Sequence, residues 1–261
     1  MSCAVHATNL RFTYPNGVVG LDGLDLHVIH GERVAVLGPN GAGKTTLMLH
    51  LNALLTGAGK LEVAGLRVGA DDVRDLRARV GLIFQDPDDQ LFMPTVREDV
   101  AFGPLNLGLS KPEVEDRVAR ALQAVRMDDF RDRAPHQLSL GQRRRVAVAT
   151  VLAMRPLLLV LDEPSANLDP RARRELLEIL DSIARTMLVV THDLPFAAQL
   201  CERAVLVRLV GHVGLVRLDL HELFAAGDLV TVGLEPLEDR ALLHGVGEPG
   251  HRDVGHERER S

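Results

Sequence analysis

Aromatic residues are scarce in this sequence, 3% of 261 residues, with one Tyr and no Trp. So few flat side chains leave little material for stacking nucleobases. The formal charge of −6 supplies no excess of Lys and Arg for a phosphate backbone, so the composition argues against a nucleic-acid reader. Cysteine is nearly absent. Cys3 and Cys201 are too few for a disulfide framework and show no metal-ligand spacing, which makes a reducing compartment the expectation. No run of about 18 apolar residues occurs, so no membrane-spanning helix is expected. The opening MSCAVHATNLRF has no basic stretch before a long apolar one, so no signal peptide is expected either. What is plentiful is aliphatic: with 46% hydrophobic residues, the chain can bury a sizeable core of Leu, Val and Ala.

The order of periodic segments is informative. Strands are expected at 5–14, at 24–28 from the alternation of Leu24, Leu26 and Val28, and at 33–37. A helix should follow at 44–55, stopped by Thr56 and Gly57, then strands at 61–68 and 80–85. Ser110 and Glu113 form a capping box that opens a helix with Val114, Val118, Leu122 and Val125 on one face, so 87–154 reads as a helical insertion. Beyond it come an apolar strand at 157–162, a helix at 171–185 capped by Asp169 with Pro170 behind it, and strands at 187–191 and 204–209. This is α/β: a mostly parallel sheet core, an antiparallel β part at the N-terminal end and a helical insertion. The folded unit is expected over 1–234, with 235–261 a charged, poorly ordered tail.

Gly38, Pro39, Asn40, Gly41, Ala42, Gly43, Lys44 and Thr45 fit G-x-x-x-x-G-K-[ST] between an expected strand and an expected helix. Glycines let successive N–H groups converge on phosphate oxygens, and the following helix start favours the anion. Lys44 would reach the β- and γ-phosphates, Thr45 would offer its hydroxyl to Mg²⁺, and Thr46 is a neighbouring phosphate contact. The spacing of Gly38, Gly41 and Gly43 excludes a dinucleotide loop. The strand at 157–162 ends in Asp162 and Glu163, at the edge where open α/β sheets bind ligands. Asp162 would order the Mg²⁺ shell and Glu163 would polarise water. Together these elements describe an ATPase of the P-loop NTPase fold using ATP and Mg²⁺.

With Leu138, Ser139, Leu140, Gly141 and Gln142 added, the sequence resembles the ATP-binding subunits of ABC transporters over about residues 5–218. The resemblance implies further roles. Tyr14 matches the aromatic that stacks on adenine, with a strand-end aromatic packing in the core as the lesser alternative. Gln85 matches the glutamine that senses Mg²⁺ and attacking water, and His192 the switch histidine at the γ-phosphate. Asp169 matches the acid of a loop crossing between subunits. Ser139, Gly141 and Gln142 match the signature that binds ATP held on another subunit, so the resemblance implies a homodimer or a heterodimer with a second ATPase subunit. Leu140 stands where the family has glycine, which keeps a partly degenerate regulatory subunit in view.

Phe84 to Phe92 (FQDPDDQLF) and the basic run Arg143, Arg144, Arg145 are similar to the energy-coupling-factor group, importers of cobalt, nickel and vitamins. That resemblance implies a peripheral subunit on the cytoplasmic face of the cell membrane, joined to a transmembrane coupling subunit and a substrate-binding membrane subunit. Asp88 and Asp89 are expected to form an acidic lip receiving arginines from the membrane partner. A soluble ATPase of the same family is the alternative. His244, His251 and His256 in the tail match no defined ligand spacing.

Overall fold

Val5 and Ala7 bury one face of the first strand, and after a bulge with Asn9 at φ 49 Leu10 returns to it. The structure, a computed structural model describing residues 3–207 and 216–219, makes this β1 (Cys3–Thr13). In chain order follow β2 (Val19–Ile29), β3 (Arg33–Leu37), α1 (Lys44–Leu51), β4 (Ala58–Val63) and β5 (Leu66–Arg67). Then come α2 (Val73–Arg79), β6 (Val80–Ile83), α3 (Val96–Asn106), α4 (Lys111–Ala124), α5 (Leu140–Leu152) and β7 (Leu158–Asp162). The series closes with α6 (Pro170–Ser182), β8 (Thr186–Val190), α7 (Leu194–Leu200), β9 (Arg203–Leu206) and β10 (Val216–Asp219).

Two sheets result. One is antiparallel, in the order β2-β1-β4-β5. The other has the order β10-β9-β3-β8-β7-β6, parallel from β9 to β6 with β10 antiparallel at its edge. Val34, Val36, Leu158, Val160, Leu188 and Val190 face a core shared with α1 and the antiparallel sheet. Their neighbours Ala35, Leu37, Leu159, Leu161, Met187 and Val189 face a second core with α3 to α7. Burial on both faces is why these strands are continuous apolar runs without alternation.

Several expected boundaries move. The strand expected at 61–68 is a hairpin, because Ala64 and Gly65 both adopt positive φ, 50 and 78, and turn the chain between β4 and β5. The first helix ends at Leu51, where Ala53 (φ 56) leaves helical backbone. The helix after the LSLGQ motif begins at Leu140, placing Gly141 and Gln142 inside its first turn. The helix expected to 185 ends at Ser182. The segment 87–154 holds a 3-10 turn at Pro87–Asp89 followed by α3, α4 and α5. Residues 208–209 of the last expected strand, the tail from 235 and its histidines lie outside the described residues.

Candidate functional site

Parallel strands bring their C-terminal ends to one edge, and the functional segments all leave from there. β3 runs into the glycine loop, β6 into Phe84 and Gln85, β7 into Glu163, and β8 into Thr191 and His192, on four adjacent strands. The result is a cleft of about 640 Å³ lined by Tyr14, the glycine loop, Gln85, Asp162, Glu163 and His192, among others. Every candidate from the first part of the motif set except buried Ala42 therefore lines one cleft.

Gly43, at φ 94, ends the loop directly before α1. A Cβ there would stand 2.2 Å from the Gly20 carbonyl oxygen, so only glycine lets the loop close this tightly on β2. Lys44 is half-buried and donates to the carbonyls of Gly38 (2.7 Å) and Pro39 (2.9 Å), curled over the loop. Burial lowers the pKa of its ammonium, while Glu163 and Asp162 act to raise it. Burial pushes the Asp162 carboxyl up, and Glu163 adds to this; Lys44 and Arg144 oppose.

Glu163 sits at φ 42, in the left-handed region that a non-glycine residue enters at a cost of about 1 kcal/mol. Its N–H donates to Val190 O (2.8 Å), continuing the β7–β8 ladder one step before the chain turns. The turn sends the carboxylate, only 12% exposed, into the cleft. There it accepts from Thr191 Oγ1 (3.0 Å) and the His192 N–H (3.3 Å), and it lies 2.8 Å from His192 Nδ1. The His192 side chain is 78% exposed.

Tyr14 has its hydroxyl 2.9 Å from Thr46 Oγ1 and its ring edge-on to Phe12. Thr46, expected as a phosphate contact, is buried and engaged with this tyrosine. Asp169 is the N-cap of α6, accepting from the N–H groups of Arg171 and Ala172, both 2.9 Å. Ser139, Gly141 and Gln142 are not among the residues lining the cleft. Ser139 and Gln142 form a capping box on α5. A Cβ on Gly141 would come within 2.7 Å of Ala172 Cβ, so the helix start packs closely on α6. Leu140 lines a neighbouring recess with Gln85, Asp86 and Arg144. The acidic lip is modified: Asp88 is paired with Arg143 within the chain at 3.2 Å, while Asp89 has no ion pair among the described residues.

Three residues at or behind this cleft make contacts that the sequence did not show. Arg144, in the middle of the basic run of three arginines, is 1% exposed. Gln90 donates from Nε2 to Ala147 O (2.9 Å) and Thr150 Oγ1 (2.7 Å). Asp193 accepts two 2.9 Å bonds from the Arg173 guanidinium and one from Ser165, fixing the residue after His192; the Asp-x-Pro start of α7 was its only signal.

His50, fully buried in α1, lies 2.7 Å by its Nδ1 from Thr46 O, edge-on to Phe12, and its Nε2 has no hydrogen-bond partner among the described residues. Burial lowers its pKa, against the Thr46 bond, so folding favours the neutral ring. The unfolded chain takes up this proton as pH falls through about 6.5 and the folded chain resists it, so stability present above that pH is lost below it, by at most about 1.4 kcal/mol per pH unit. Urea unfolding between pH 7.5 and 5.5 should show a shallower pH slope in His50→Leu than in the native chain. Equal slopes would place the linkage elsewhere.

Comparison with known proteins agrees with this geometry. The sequence model of the family described as "ABC transporter" matches residues 21–166. A protein of Streptomyces avermitilis described as an ABC transporter ATP-binding protein is 62% identical over 204 residues, 78% of each chain. The energy-coupling factor transporter ATP-binding protein EcfA of Carboxydothermus hydrogenoformans is 49% identical over 203 residues, covering 76% of this chain and 75% of that one. Among solved structures, cbiO1 from Clostridium perfringens, described as part of the ABC transporter complex cbiONQ, superposes with a TM-score of 0.77 at 32% identity, covering 87% of this chain and 93% of that one.

Proposed function

The chain belongs to the ABC transporter family of ATP-binding proteins, and from that premise we propose that it hydrolyses ATP as one half of a dimer that drives an energy-coupling-factor importer. The observation that carries this is the division of the site. The glycine loop, Gln85, Asp162, Glu163 and His192 share one cleft, whereas Ser139 and Gly141 do not line it. A second ATPase subunit, identical or not, completes each half.

In this reading Lys44 and the N–H groups of residues 40–45 hold the β- and γ-phosphates, and Tyr14 carries the base. The hydroxyl of Thr45, the carboxylate of Asp162 and the amide oxygen of Gln85 form an all-oxygen set on the cleft wall that suits Mg²⁺. Bound there, the ion neutralises charge developing on the phosphate oxygens. Glu163 orients the attacking water and takes its proton, and His192, positioned by Glu163, reaches the γ-phosphate. Ser139, Gly141 and Gln142 engage ATP on the partner subunit, and Asp169 lies on the loop that crosses to it.

The relatives EcfA and cbiO1 support the energy-coupling-factor group; the cargo we propose for it is a metal ion such as cobalt or nickel, or a vitamin. An exposed apolar patch supports docking on a membrane partner. Phe92 (62% exposed) and Phe102 meet edge to face at 5.0 Å, with Leu105 exposed nearby and Asp88 and Asp89 on the adjoining turn. No helix among the described residues is long and apolar enough to cross a membrane, so contact with cargo falls to membrane subunits. In this reading the chain sits at the cytoplasmic face and binds no nucleic acid.

Purified from solubilised membranes, the chain should bring down a transmembrane coupling subunit and a substrate-binding membrane subunit, and its ATPase rate should depend on dimer formation. Full turnover as a monomer that captures no membrane subunit would overturn the proposal. Replacing Asp88 and Asp89 by Ala should weaken capture of the coupling subunit about five- to tenfold, as loss of interfacial charge pairs does. Unchanged assembly and uptake would remove the acidic lip from the interface.

A further inference from the structure

Burying a guanidinium is expensive, and a side chain of similar volume without charge fills such a space at lower cost. Arg144 is nonetheless 1% exposed, and its planar fork is spent on backbone carbonyls of two separate segments. Nη1 donates to Phe84 O (3.0 Å) and to Gln85 O; Nη2 reaches Ala166 O at 3.4 Å. The first pair belongs to the stretch that carries Gln85. The last belongs to the stretch from Glu163 to Asp169.

We propose that Arg144 is a positioning residue for hydrolysis: it fixes the spacing between the Gln85 segment and the Glu163 segment and ties both to the helix that Ser139 and Gly141 open. This rests on the site roles assigned to Gln85 and Glu163 above. Other contacts bind the Gln85 segment to α5, namely Arg143 with Asp88 (3.2 Å) and Gln90 with Ala147 and Thr150. Arg144 alone of these also reaches the Glu163 segment. Contact of Ser139 with a nucleotide on the second subunit therefore bears on α5, and through one guanidinium on both hydrolytic segments at once. The neighbouring charges fit: Asp86 and Asp162 favour the cation against the cost of burial, and Arg144 in turn opposes the upward push on Asp162. Leu140, one turn before Arg144, lines the same recess.

The test uses full-length Arg144→Met and Arg144→Lys, each assembled as the native complex. Turnover should fall about 10- to 100-fold in Arg144→Met with KM for ATP within about twofold, the split expected when geometry and not ground-state binding is lost. Amide hydrogen exchange should rise together in residues 84–90 and 163–169. Arg144→Lys should also lose turnover, since one ammonium cannot hold both segments. Arg145→Met, which removes a guanidinium of the same helix that lies 3.6 Å from Glu175 of α6 and makes no hydrogen bond or ion pair with the two hydrolytic segments, should keep turnover within about twofold. A folded Arg144→Met with native kcat, exchange unchanged in both segments, or an equal loss in ATP affinity would overturn the proposal. If Arg144→Met does not fold, native turnover in Arg144→Lys overturns it. Gln85→Ala and Glu163→Gln measured in the same preparation separate the two ideas: native turnover in those variants is a failure of the site roles, not of Arg144.

Discussion

Glu163→Gln is expected to lower kcat by about 10²- to 10⁴-fold, the range for removing a general base. ATP binding should survive, because the hydrogen bonds of the Glu163 side chain go to Thr191 and His192 and none to the glycine loop. The amide has nearly the same shape, but its NH₂ cannot accept a proton from water. It also turns a donor toward one of the three groups that now donate to the carboxylate, the Thr191 hydroxyl, the His192 N–H and the His192 ring. With hydrolysis blocked and ATP retained, the closed dimer should accumulate. Steady-state phosphate release and ATP-dependent size-exclusion profiles measure the two halves of this expectation. Turnover within about threefold of native would assign the base elsewhere.

Lys44→Ala should act on binding. Burial lowers the pKa of Lys44 and the carboxylates Glu163 and Asp162 act against this, so its removal exposes a tetra-anionic ligand to two negative groups with the compensating cation gone. Truncating one partner of a buried charge pair costs about 2–5 kcal/mol, which corresponds to roughly 30-fold or more in ATP affinity. Titration with a fluorescent ATP analogue reads this directly. Lys44 also satisfies the carbonyls of Gly38 and Pro39, so a melting curve without nucleotide is needed beside it. A large melting shift with native affinity would make Lys44 a structural residue of the loop.

Much of the fold was legible because its strongest signals are local. The strand at 33–37 was read to the residue, and β7 and β8 within one, since strands covered on both faces must be unbroken apolar runs. α4 announced itself by its Ser110–Glu113 capping box. α3 has one too, Thr95 with Glu98, but Gly103 and Pro104 interrupt the helical pattern behind it. That glycine is there for packing, as a Cβ would meet Met154 at 2.6 Å. α2 and α7, seven residues each, are too short for periodicity to declare them.

The glycine loop, Asp162 and Glu163 were legible for the same reason: phosphate-binding chemistry requires a fixed run of glycines before a lysine, whatever surrounds it. That this is an ATPase of the ABC family was determined by sequence alone. Only the tertiary structure decided which groups meet. It joined Glu163 to His192 across 29 positions, drew Asp88 onto Arg143, and buried the middle arginine of three against carbonyls from residues 84, 85 and 166. A spacing in sequence encodes backbone geometry over a few residues. Pairing across the sheet edge depends on which strands lie side by side, and that order is set by how the two cores close on each other.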